Sequence, residues 1–87
     1  MMIASEIHTR LAAAFTDASI DVHDDSESHR GHGGWREGGE THFNITISAP
    51  AFHGMSRLAR HRAVHSALGA DLVSRIHAIG LNVQDGA

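Results

Sequence analysis

The 87-residue chain contains no cysteine and no lysine. Without cysteine there can be no disulfide, and no thiolate can act as a nucleophile or hold a soft metal. Any thiolate ligation must therefore come from another molecule. All seven basic residues are arginine, against ten acidic ones, and the formal charge is −3 with histidine neutral. That balance argues against the tight, sequence-blind nucleic-acid binding of a strongly basic domain. No apolar run approaches the ~18 residues of a transmembrane helix. The N-terminal Met1-Met2-Ile3-Ala4-Ser5 carries no basic cluster, so it reads as the start of a helix and not as a signal peptide. One proline, Pro50, punctuates the chain. The length implies a single domain over 1–87 that buries roughly 60–65% of its unfolded surface.

What the chain does have is histidine, nine in all. Imidazole changes charge near neutral pH and, when neutral, is the commonest metal ligand. Protonating all nine would reverse the sign of the net charge.

Hydrophobic periodicity orders the chain. Ile3, Ile7, Leu11, Ala14 and Phe15 form one stripe at helical spacing. Ile20 and Val22 alternate with Asp21 and His23 as a short half-buried strand. Residues 24–40 hold five of the nine glycines and little that is apolar except Trp35, which predicts a long flexible loop. Phe43, Ile45 and Ile47 alternate with outward His42, Asn44 and Thr46 up to Pro50. A helix is predicted from Ser56 to Leu68, with Leu58, His61, Val64, His65 and Leu68 on one side and Gly69 as its stop. A short helix over 70–76 follows, then a strand with Ile79, Leu81 and Val83 inward. The order α-β-β-α-α-β predicts an α+β fold: a three-stranded mixed sheet with helices on one face, the last strand crossing over to pair in parallel.

Enzyme signatures are missing. No G-x-S-x-G elbow, P-loop or dinucleotide fingerprint occurs. Asp24, Asp25 and Glu27 fail the spacing of a calcium loop. His61 and His65 have the spacing of a zincin helix, but Arg62 stands where the catalytic glutamate would be, so both read as structural or capping imidazoles. His8, His23 and His53 read as surface residues, and Trp35 either covers the sheet or contacts a partner.

Four segments taken together carry a resemblance: Gly39-Glu40-Thr41-His42-Phe43, Phe52-x-Gly54-x-Ser56, Arg60-His61-Arg62-x-Val64 and Ile76-His77-Ala78. In that order and spacing, from about Ile7 to Val83, the chain resembles the BolA family. The resemblance implies a fold like the class II KH domain, although no G-x-x-G phosphate-clamping loop is present. It also implies pairing with a monothiol glutaredoxin and a shared [2Fe–2S] cluster, with sulfur supplied by the glutaredoxin and by glutathione. The family's ligand in the "HA" segment falls on His77. Its second ligand, from the loop between the first two strands, falls on His29 of Asp25-Ser26-x-x-His29, with His32 as the alternate. No cofactor is expected on the isolated chain, which is expected to be monomeric. Two imidazoles on one iron is the Rieske pattern, which raises the reduction potential, and such ligation should loosen as imidazole protonates.

The resemblance also carries a second function, DNA-binding regulation through the second-helix region, where Arg57, Arg60 and Arg62 are the only basic cluster. Any such DNA binding is expected to be weak and salt-sensitive. A cytoplasmic location is expected, with the mitochondrial matrix as the alternative.

Overall fold

A computed structural model describes residues 2–26 and 41–86. Helix α1 (Ile3–Ala14) leads into strand β1 (Ser19–Asp24), then β2 (His42–Ser48), a 3-10 turn at Pro50–Phe52, helix α2 (Arg57–Leu68), the single-turn helix α3 (Ala70–Val73) and strand β3 (Ala78–Gln84). The sheet order is β1-β2-β3. β2 is central, antiparallel to β1 and parallel to β3. This is the α+β arrangement expected from the alternation and from the two helices between β2 and β3.

The core lies between the sheet and its helices. α1 contributes Ile3, Ile7 and Leu11, every fourth residue, so its buried stripe winds gently across one side of the helix. β2 contributes Phe43, Ile45 and Ile47, and Phe52, Val64, Leu68, Leu72 and Ile76 complete the layer. Each such aliphatic or aromatic side chain stabilises the fold by about 1.5–3 kcal/mol on burial. The 3-10 turn is an addition to the pattern read from the sequence. Pro50 ends β2, but it also opens a turn that drives Phe52 fully inside, where its ring meets Phe15 at 4.7 Å.

Three expectations need correction. The inward side of α2 is not the one centred on Leu58, His61 and His65. Leu58 is 60% exposed and His65 is exposed, while Ala63 and Ala67 pack beside buried Val64 and Leu68. Small alanines let the helix approach the core closely, so hydrophobic bulk is a poor guide to its inner side. The second correction concerns α3, which ends at Val73 and not at Ile76. Ser74 caps it and its hydroxyl donates to the Asp71 carbonyl, yet Ile76 still reaches the core. The third concerns His42, which is buried at the start of β2 although it alternates onto the face away from the helices.

The helix ends follow ordinary capping chemistry. Ser56 Oγ accepts from the Ala59 amide at 3.1 Å, an N-cap for α2. Gly69, at φ 85°, ends α2 and starts α3. A Cβ there would lie 2.9 Å from Asp71 Oδ1, so the tight helix–helix corner requires glycine. Across that corner Arg10 bonds Asp71 and the Leu68 carbonyl, while Arg75 bonds Glu6 at 2.7 Å. α1 is thereby tied to the α2–α3 corner.

Candidate metal-ligand site and basic helix

Thr41, just before β2, is the point where the site is assembled. Its carbonyl accepts from the amides of His77 at 2.9 Å and Ala78 at 3.2 Å. Its own amide donates to Ser26 Oγ at 2.9 Å, and the His42 amide donates to the same oxygen at 3.2 Å. Ser26 is in turn held by Asp24, whose Oδ1 accepts from the Ser26 amide and hydroxyl, while the Asp25 amide donates to the His42 carbonyl at 2.7 Å. Both stems of the connection between β1 and β2 are thus pinned beside the segment that carries His77. Ser26 and Thr41 are buried, so these bonds satisfy backbone groups that water does not reach.

His77 itself is exposed, at the junction of α3 and β3. Its ring lies 5.1 Å from that of His42, tilted by 57°. His42 Nδ1 and Thr41 Oγ1 are 2.7 Å apart, a hydrogen bond whose direction follows the tautomer. The pair is therefore asymmetric: one imidazole is buried and bonded, the other is fixed through its backbone and presented outward. His29 and His32, the loop ligands expected from the sequence, lie outside the described residues, as does Trp35. Among the described residues no group of three or more His, Asp or Glu side chains could hold a metal alone. The donor set there fits a group shared with another molecule: one exposed imidazole, with no cysteine anywhere in the chain to add a thiolate. His61 and His65 find no third ligand among these residues either.

The three arginines differ in their surroundings. Arg57 and Arg62 are exposed on α2. Arg60 turns back to donate to the Met55 carbonyl at 3.2 Å and the Val83 carbonyl at 3.3 Å, with Asp85 at 3.8 Å. It therefore bridges α2 to the outer side of β3. Between them runs a groove of about 490 Å³ lined by Met55, Arg57, Arg60, His61, Leu81, Asn82 and Val83.

Two features had weak signals in the sequence. The Asp24-x-Ser26 turn that clamps Thr41 lies where only an acidic loop was legible. The Glu6, Arg10, Asp71 and Arg75 network joins residues more than sixty positions apart. Hydrogen bonding from Arg10 holds the Asp71 carboxyl down at about 2, and Arg75 likewise lowers that of Glu6.

Among the described residues no helix is long and apolar enough to cross a membrane. Comparison with known proteins adds the family. A family profile described as "BolA-like protein" matches residues 11–85. An uncharacterized Sinorhizobium protein from the cobS 5′ region is 37% identical over 93% of this chain and 88% of its own length. The Escherichia coli DNA-binding transcriptional regulator BolA is 34% identical over 94% of this chain and 74% of its own. BolA-like protein 1 of Bos taurus is 31% identical over 98% of this chain, which spans only 60% of that relative. Among solved structures, BolA1 from Arabidopsis thaliana superposes with a TM-score of 0.80 at 27% identity, covering 97% of this chain and 92% of that one. The BolA domain of SufE1 from the same plant gives 0.77 at 33% identity, covering 93% and 88%.

Proposed function

This chain belongs to the BolA-like family, and on that premise we propose that it is a non-enzymatic adaptor that binds a monothiol glutaredoxin and shares a [2Fe–2S] cluster with it, in iron–sulfur cluster assembly, transfer or iron regulation. The observation that carries the reading is His77: an exposed imidazole whose backbone amide is anchored to Thr41, beside both stems of the loop that bears His29 and His32.

His77 offers one nitrogen donor, with His29 or His32 as the second. When bound, a cluster with two imidazoles on one iron supplies a one-electron couple at higher potential than an all-thiolate one. The chain's own contribution is positional. Thr41 fixes the His77 backbone, and the buried His42 ring packs against the His77 ring. The Ser26 clamp keeps the ends of the loop at the same corner of the sheet. Because the chain has no cysteine, every thiolate in such a complex belongs to the glutaredoxin or to glutathione.

The test is anaerobic reconstitution with a monothiol glutaredoxin, glutathione, iron and sulfide. A coloured 1:1 complex is expected, and its visible CD and EPR should change in His77→Ala and in one of His29→Ala or His32→Ala. Spectra unchanged by His77→Ala would overturn the ligand assignment. A second reading, DNA-binding regulation, is favoured by exposed Arg57 and Arg62 on α2 and by the name of the Escherichia coli relative. Failure to form the coloured complex, together with sequence-dependent DNA retention at several hundred millimolar salt, would support it instead.

A further inference from the structure

The two edges of the sheet differ in kind. The β1 edge carries Asp21, His23 and Asp24, the charged decoration that discourages another strand from pairing. β3, Ala-Ile-Gly-Leu-Asn-Val-Gln, has no charged residue and no proline over its seven positions. In a parallel pair each bonded residue directs both its N–H and its C=O to the same neighbour, and the next residue directs both away. The Ala78 amide donates to Thr41 and the Gln84 carbonyl accepts from Ala49, so Ala78, Gly80, Asn82 and Gln84 face β2. The main-chain groups of Ile79, Leu81 and Val83 therefore point off the sheet. Arg60 occupies the Val83 carbonyl, and among the described residues no other strand pairs there.

We propose that this outer edge of β3, with the groove between it and α2, docks an extended acidic segment of a partner protein as a fourth strand. Strand addition supplies the main-chain bonds, and pockets for alternate side chains supply specificity. The groove is lined by apolar Met55, Leu81 and Val83 together with Asn82 and the nitrogen-bearing side chains of Arg57, Arg60 and His61. A glutamate fits that combination, with its methylenes against the apolar side chains and its carboxylate at Arg57. A second copy of this chain fits poorly, because pairing β3 with β3 would bring the same basic groove toward itself. Arg60 marks where the added strand ends, since the Val83 carbonyl is already taken. The proposal does not depend on His77 and stands apart from the cluster reading.

The test uses the full 15N-labelled chain and a synthetic peptide of alternating threonine and glutamate. Binding should slow hydrogen exchange at the Ile79, Leu81 and Val83 amides while leaving Ala78, Gly80 and Asn82 as they were. N-methylation on one alternate set of peptide residues should abolish binding, and on the other set should leave it intact. A lysine-for-glutamate peptide should not bind, and Arg57→Glu should weaken binding about three- to tenfold, the scale of an exposed ion pair turned repulsive. The proposal is overturned if the peptide does not bind, or if it binds without protecting these amides. It is equally overturned if the free chain protects them in a concentration-dependent way, as a dimer would. Protection by a single-stranded oligonucleotide and not by the peptide would assign the edge to nucleic acid and would also overturn it.

Discussion

The rings of His42 and His77 lie 5.1 Å apart, yet His42 is only 5% exposed while His77 is exposed. Removing each should therefore have unequal consequences for stability. His42→Ala leaves a void beside Thr41 and takes away the hydrogen-bond partner of its buried hydroxyl, at a cost of about 1–3 kcal/mol. His77→Ala removes an exposed side chain and should stay within about 0.5 kcal/mol of the parent. Urea denaturation of the two variants distinguishes a ligand from a structural histidine. Comparable destabilisation by both would mean that His77 belongs to the packing.

Ser26 Oγ accepts from two backbone amides, those of Thr41 and His42. Ser26→Ala leaves both buried donors without that acceptor, and each unsatisfied group costs about 1–3 kcal/mol. We expect a loss of about 2–4 kcal/mol by chemical denaturation, with faster exchange of the Thr41 and His42 amides. A near-neutral result would show that the clamp is dispensable.

On the open face of the sheet, Gly80 of β3 lies beside the Asn44 side chain of β2. A Cβ there would meet Asn44 Oδ1 at 2.5 Å. In the wild type the exposed Asn44 amide must swing aside to admit that Cβ, which offsets part of any gain from Gly80→Ala. In an Asn44→Ala background the clash is gone, and the same substitution should stabilise by about 0.5–1 kcal/mol through reduced backbone entropy. The larger gain in the Asn44→Ala background, read from a double-mutant cycle, is the measurement, and equal effects in both backgrounds would show that the contact costs nothing.

Much of the architecture was legible because two periods dominate it. Fourth-residue spacing along α1 and alternation along β2 and β3 match the inward residues, except that Ala14, expected on the α1 stripe, is exposed. The parallel placement of β3 followed from two helices separating it from β2. The orientation of α2 was not legible, since Ala63 and Ala67 pack inside while Leu58 does not. Wheel arguments weight bulk, and a helix that packs on alanines defeats them. Of the candidate site, His77 was named through the family resemblance, whereas the burial of His42 depends on the Ser26–Thr41 corner, a tertiary contact between turns fifteen residues apart. The separation of Arg60 from Arg57 and Arg62 likewise depends on where the Val83 carbonyl lies.

The corrected face of α2 can be measured directly. Leu68 is fully buried and Leu58 is 60% exposed. Leu68→Ala should cost about 2–5 kcal/mol through lost burial and a residual cavity. Leu58→Ala should remain within about 0.5 kcal/mol. Equal losses in thermal or urea denaturation would restore the face centred on Leu58.

The acid limb of stability should be set by the α1 corner. Asp71 is held at about 2 by hydrogen bonding from Arg10, below its ordinary 3.8, and Glu6 is lowered from 4.5 by Arg75. Both folded-state values are depressed, so the unfolded chain binds these protons more readily. Their contribution is then fully present above the ordinary carboxylate values and is lost as pH falls from there toward about 2. These groups are solvent-accessible, so salt should shrink the effect. Arg10→Gln should flatten the acid limb between pH 4.5 and 2 relative to the parent, and Arg75→Gln should do the same through Glu6. Urea midpoints across that range are the check. An acid limb equally steep in both variants would place the responsible carboxylates elsewhere.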